Sequence, residues 1–228
     1  KVLIDKPKPS HKPADMLCDE LFNKRCRIKH PDLNFCHDEK WRKGRNSALK
    51  QAIIVLLEAE KVMIDNGNPD NHGEKRYLQK VLLKGAGALN KTGSEGVVTY
   101  FTCEIDPKKL HDDFPVLKEL CSRLVSLNPG QVFSLGSFLE EVKDAPYGVG
   151  GTIMILSLAH VIRAYGERLI VYKDSTLTVE QPVRDYEDLV RIVSDSSSKA
   201  VIVVRDISNT QIILIDLVAK SINALPLK

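Results

Sequence analysis

The sequence lacks most of what announces an enzyme or a membrane protein. Its unbroken apolar runs, Ile153 to Leu156 and Ile212 to Ile215 among them, fall far short of the roughly 20 residues a spanning helix needs. No membrane partner is expected. The chain opens Lys1-Val2-Leu3-Ile4-Asp5 and turns proline-rich at once, so no secretory leader is expected. It also opens without methionine, from which we expect a piece of a longer protein. The five cysteines, Cys18, Cys26, Cys36, Cys103 and Cys121, are an odd number without repeated spacing. That pattern fits reduced thiols and a cytoplasmic location better than a disulfide framework. There is one tryptophan, Trp41, and no internal repeat. Serines 196–198 are only a short loop.

What is present fits a globular protein of one large or two small domains: 228 residues, 43% apolar and 28% charged. The formal charge of +3 is unevenly placed. Residues 1–50 hold 13 Lys/Arg against 7 Asp/Glu, and the remainder holds 20 against 23. Attraction to a polyanion would therefore come from the N-terminal part.

Residues 1–13, with Pro7, Pro9 and Pro13 among lysines, read as an extended linker or strap. Residues 14–104 read as a helical N-terminal domain with a short strand. Its expected elements are a helix from Ala14 to Ile28 and a loop through 44 carrying Trp41. A helix capped by Asn46 or Ser47 follows through Lys61, then a turn over Asp65 to Asn71, a helix over Glu74 to Lys84 and a strand over Val97 to Cys103. The boundary is expected near 104–114.

Residues 115–228 have the outline of a winged helix with an α/β extension. Pro115 opens a helix to Leu127. Ser134 or Ser137 opens a second that stops before Pro146, and Thr152 to Tyr165 is a third, ended by Gly166. Arg168 to Lys173 and Leu177 to Glu180 read as a hairpin. A helix over Tyr186 to Val193, a strand over Ala200 to Arg205 and a helix over Asn209 to Ala224 complete the chain. The fold class is thus mostly helical α+β.

Each chemical motif has a plainer explanation. Gly85-Ala86-Gly87-Ala88-Leu89-Asn90-Lys91-Thr92 is one residue from a phosphate loop, but that loop needs a strand before it and a helix after it. Gly93 and Gly96 argue against the helix, so a glycine-rich connector is expected. A cryptic nucleotide-binding enzyme built on this loop is an alternative reading. Gly148, Gly150 and Gly151 lack dinucleotide-loop spacing and read as a tight helix–helix turn. Cys18, Cys26, His30, Cys36 and His37 lack the paired spacing of zinc sites, so no metal is expected. Ser157 and His160 lie side by side on one helix with no orienting acid, and Asp112-Asp113 and Glu140-Glu141 read as solvated acids. No catalytic residue and no cofactor is assigned.

For nucleic acid there are two candidate surfaces. Along the third helix and its wing, Thr152, Ser157, His160, Arg163, Arg168 and Lys173 could reach a groove or phosphates. The second surface is Trp41-Arg42-Lys43-Gly44-Arg45, with Lys40 and Lys50. Arg42, Lys43, Arg45, Thr152, Arg163, Arg168 and Lys173 are the expected nucleic-acid contacts. Against the first surface, residues 153–162 are apolar on nearly every side, and a helix apolar all round is a buried one. Candidate partners are therefore double-stranded DNA, other domains or subunits of a larger assembly, and a second copy of the chain. The alternative is a protein-interaction or oligomerisation module with no nucleic-acid role. In that case the apolar helix at Ile212 to Ile222 would either complete a core or present a partner face.

Ala145-Pro146-Tyr147-Gly148 leading into Leu156-Ser157-Leu158-Ala159 resembles a winged-helix segment of very large P-loop ATPases in BREX-type phage-defence systems. The Arg45 to Leu57 helix and the Gly73 to Leu89 segment are compatible with the helical region upstream of it. The specific match spans about 30 residues. It implies an accessory or DNA-associated part of a defence machine, since that family's ATPase core is not in this chain.

Overall fold

The computed structural model describes residues 21, 24–30, 45–59, 61–65, 78, 82, 88–103, 106–173, 185–195, 199–207, 211, 214 and 217. The expected strap at 1–13, the loop at 31–44, the strand at 177–180 and the serine run at 196–198 lie outside them. So do most residues of the helices expected at 14–28, 74–84 and 209–224. Among the described residues are five helices and two three-stranded antiparallel sheets. The mixed α+β class read from the sequence is the class of the fold.

Helix α1, Arg45–Glu58, buries Ala48, Leu49, Ala52, Ile53 and Leu56. That spacing gives one stripe along a 3.6-residue helix. The helix stops before the expected Lys61, and strand β1, Val62–Asp65, follows at once. There Val62 and Ile64 point inward while Met63 is exposed, the period-two signature of a strand. Strand β2, Leu89–Glu95, and strand β3, Val98–Cys103, form a hairpin around Gly96 and Val97, with Gly96 at φ 57°. A two-residue hairpin turn favours a residue tolerant of positive φ. Strand β3 lies between β1 and β2. One strand was expected here and the fold has three.

Helix α2, Pro115–Val125, starts at the proline as expected and buries Val116, Leu117, Leu120, Cys121 and Leu124. Strand β4, Val132–Ser134, leads into helix α3, Leu135–Lys143. Ser134 caps α3, its hydroxyl accepting from the Ser137 N–H at 3.4 Å. Helix α4, Gly151–Tyr165, ends at Gly166, whose φ of 53° and ψ of −132° suit glycine. Strand β5, Leu169–Tyr172, helix α5, Tyr186–Ser194, and strand β6, Val201–Val204, close the described chain.

In the second sheet β6 lies between β4 and β5, antiparallel to both. The neighbour that the described residues give β5 is therefore a strand some 30 positions later, with α5 in the intervening chain. Helix α4 packs against α1, α2, α5, β3 and β5. One apolar core runs from Ala48 in α1 to Ile202 in β6 and continues across residues 104–114.

Candidate functional site

The element the sequence puts forward for groove recognition is α4. Its residues from Ile153 to Val161 are all buried, nine in succession. Nine residues make two and a half turns, so no face of the helix is open along that length. Even its polar groups are turned inward. Ser157 is 1% exposed and donates its hydroxyl proton to the Ile153 carbonyl at 2.8 Å. His160 is fully buried.

The cover comes from outside the α2–β6 unit as well as from within it. Helix α1 lies on α4, and α5 folds back onto it from between β5 and β6. At the start of α4 the approach is close: a Cβ on Gly151 would lie 3.5 Å from Val193 of α5. The two covering helices are joined to each other, since Lys50 of α1 pairs with Glu187 of α5 and lies 5.9 Å over the Tyr186 ring. The Asp185 carboxylate caps α5 by accepting from the Asp188 N–H at 2.7 Å.

The expected phosphate contacts do not converge. Arg42 and Lys43 lie outside the described residues, and Arg45 opens α1. Thr152, half-buried, and Arg163, half-buried, are separated by about 16 Å of helix rise. Arg163 lies beside the Cys103 thiol. Arg168 is exposed, and its carbonyl accepts from the Arg205 N–H at 2.7 Å. Lys173 pairs at 2.5 Å with Asp188, a carboxylate that is itself largely buried.

No thiolate is poised for chemistry among the core cysteines. Burial pushes the Cys103 thiol up to about 11, against the pull of Arg163, and the Cys121 thiol up to about 12. Both are protonated at neutral pH, the inert state of a structural cysteine. Among the described residues no cluster of His, Cys, Asp or Glu could hold a metal ion. Leu89–Glu95 runs on as a strand, so no helix N-terminus follows Lys91 and Thr92 to face a phosphate. Three of the four paired acids are engaged: Asp112 accepts from Lys118 at 2.6 Å and Glu140 from Lys143 at 2.7 Å. Glu141 takes a two-pronged guanidinium grip from Arg123 at 2.6 and 2.8 Å, which holds its carboxyl below the ordinary range.

Two surface features stand out. One is an open groove of about 690 Å³ between the ends of α2, α4 and β6, lined by Val125, Leu127, Tyr165, Arg168, Arg205 and Ile207 among others. Val125 at its rim is 61% exposed. The other is the segment 24–30. Expected as the end of a helix, it leaves helical form after Arg25 and alternates: Arg25, Arg27 and Lys29 are exposed, while Cys26, Ile28 and His30 are half-buried. Its inner side is tied to the α3–α4 turn. The Ile28 N–H donates to the Pro146 carbonyl at 3.3 Å, and His30 Nε2 donates to the Tyr147 carbonyl at 2.8 Å. The sequence points to a helix through Ile28 and to Cys26 and His30 as zinc candidates, not to this basic side, although cations at every second position from Arg25 were the available signal.

No family model, curated protein or solved structure matches the chain. Among the described residues no helix is long and apolar enough to cross a membrane.

Proposed function

We propose that the chain is a non-catalytic, winged-helix-like module of a larger cytosolic protein, and that it engages a partner subunit or domain instead of reading bases with its third helix. The winged-helix part of the reading is supported by connectivity. The order is α2, β4, α3, α4, β5, β6, with the last strand central in the sheet, and the wing position between β5 and β6 is enlarged by α5. The observation that carries the functional part is the unbroken burial of Ile153 to Val161. A recognition helix needs an open polar face in the major groove; α4 has none and serves as the core's central rod. Placement in a phage-defence ATPase rests only on Ala145 to Gly148 and Leu156 to Ala159.

The face offered to a protein partner in this reading is the groove beside Val125, where Leu127 and Ile207 meet the polar groups of Arg168, Arg205 and Asp206. A photo-crosslinking side chain placed at Val125 in the full-length parent should trap a protein neighbour, and one at Thr152 should trap no duplex DNA. The reading is contradicted if Thr152→Glu lowers duplex binding tenfold or more while melting is unchanged, because α4 would then face the groove.

A further inference from the structure

We propose that Lys24, Arg25, Arg27 and Lys29 form a sequence-independent contact strip for the phosphate backbone of a nucleic acid. All four are exposed, and the chain from Leu21 to Pro31 holds no Asp or Glu. A basic run is ordinarily a solvated face; this one differs in being fixed. Its alternate residues Cys26, Ile28 and His30 are turned toward the protein, and two main-chain carbonyls of the α3–α4 turn, Pro146 and Tyr147, hold it there. Anchoring removes backbone freedom before the ligand arrives, so less ordering entropy is lost on contact.

The spacing suits the ligand. Residues two apart lie at most about 7 Å from each other. Phosphates follow one another about every 3.4 Å along each strand of a duplex axis, so each outward side chain finds a phosphate within reach. Guanidiniums, two of the four groups, grip phosphate oxygens in pairs. The neighbouring acids are partly offset: Lys143 pairs with Glu140, and Arg123 is shared between Glu141 and Glu119, which leaves one carboxylate charge of that trio and exposed Asp144 as countercharge near the strip's four cations. An anionic bilayer is the poorer fit. Surface adsorption needs an apolar stripe beside the basic one, and among the described residues of this segment Leu21, 62% exposed, is the one that could begin it.

The strip goes beyond the proposed function and involves neither the groove at Val125 nor α4. It is tested by anisotropy titrations of the purified chain with labelled 20-mer duplex DNA and single-stranded RNA from 50 to 300 mM salt. Four contacts at about 0.9 each give a log–log salt slope near −3.6 on duplex DNA. The triple variant Arg25→Gln/Arg27→Gln/Lys29→Gln should bind at least tenfold more weakly and lose about 2.7 of that slope. The charge-preserving Arg25→Lys/Arg27→Lys/Lys29→Arg should keep it, which separates lost charge from lost folding. The proposal is overturned by absence of binding at 50 mM salt, by full binding in the triple Gln variant, or by binding to phosphatidylserine vesicles but to neither nucleic acid.

Discussion

Helix α4 and the segment 24–30 meet at the same turn and are opposite in construction. Helix α4 turns even its serine and histidine into the core, and α1, α2 and α5 close over it. The segment 24–30 gives only alternate residues to the protein and sets its cations outside. The difference teaches that connectivity alone does not nominate the working surface. In a helix–strand–helix–helix–strand–strand unit the third helix is the usual candidate. Here α5, inserted between β5 and β6, folds back and seals it.

The comparison can be broken first at α4. Leu156 is fully buried, and Leu156→Ala should cost about 3 kcal/mol in urea unfolding through lost burial and the cavity left behind. The Arg25, Arg27 and Lys29 substitutions should each stay within about 0.5 kcal/mol, as exposed positions do. An equal cost at both regions would erase the distinction. Next comes the stop signal of α4. Gly166 holds a backbone conformation nearly reserved for glycine, and nothing lies within 4 Å of an added Cβ. Gly166→Ala should therefore cost about 1–2 kcal/mol of pure backbone strain in the same assay.

A smaller effect tests the seal. Lys173→Ala removes the nearer of the two cations beside largely buried Asp188 in α5, leaving Arg191 at 4.0 Å, and should cost about 1 kcal/mol, since the lysine itself is well exposed to solvent. Double-mutant cycles with Asp188→Ala would show whether the pair is coupled.

The smallest effect sharpens the other side of the comparison. Burial holds the His30 imidazole below its ordinary 6.5, with the bond to the Tyr147 carbonyl pulling the other way. A histidine whose folded value is depressed contributes stability above its unfolded value, and that contribution is lost as pH falls below about 6.5 through the folded value. Docking of the strip should therefore loosen on acidification. Hydrogen exchange at the Ile28 amide, slower at pH 7.5 than at pH 5.5 after correction for intrinsic rates, would report it. His30→Asn should remove the pH dependence.

Much of the helical frame was legible in the sequence, for local reasons. Pro115, the Ser134 cap, the apolar run from Ile153 and Gly166 each act within one turn of the residue that signals them. Strands β1 and β4 were not, because four and three residues carry little pattern and their pairing partners, β3 and β6, are remote in sequence. Strand β2 was masked by its glycine, lysine and threonine content, which resembles a phosphate loop more than a strand. The cover over α4 depends on contacts such as Lys50 with Glu187 and Lys173 with Asp188. Each of those residues alone reads as solvated. At 26–28 the helix expected from Ala14 was carried too far. The alternation of basic with half-buried residues was present, but only the bonds to Pro146 and Tyr147 reveal which side faces the protein.

The most direct test of the sealed helix is hydrogen–deuterium exchange over α4 with and without saturating duplex DNA. The account expects the amides from Leu156 to Val161 to be among the slowest in the chain and unmoved by DNA, with any new protection falling at residues 24–30. Rapid exchange along α4, or protection of its residues by DNA, would contradict it.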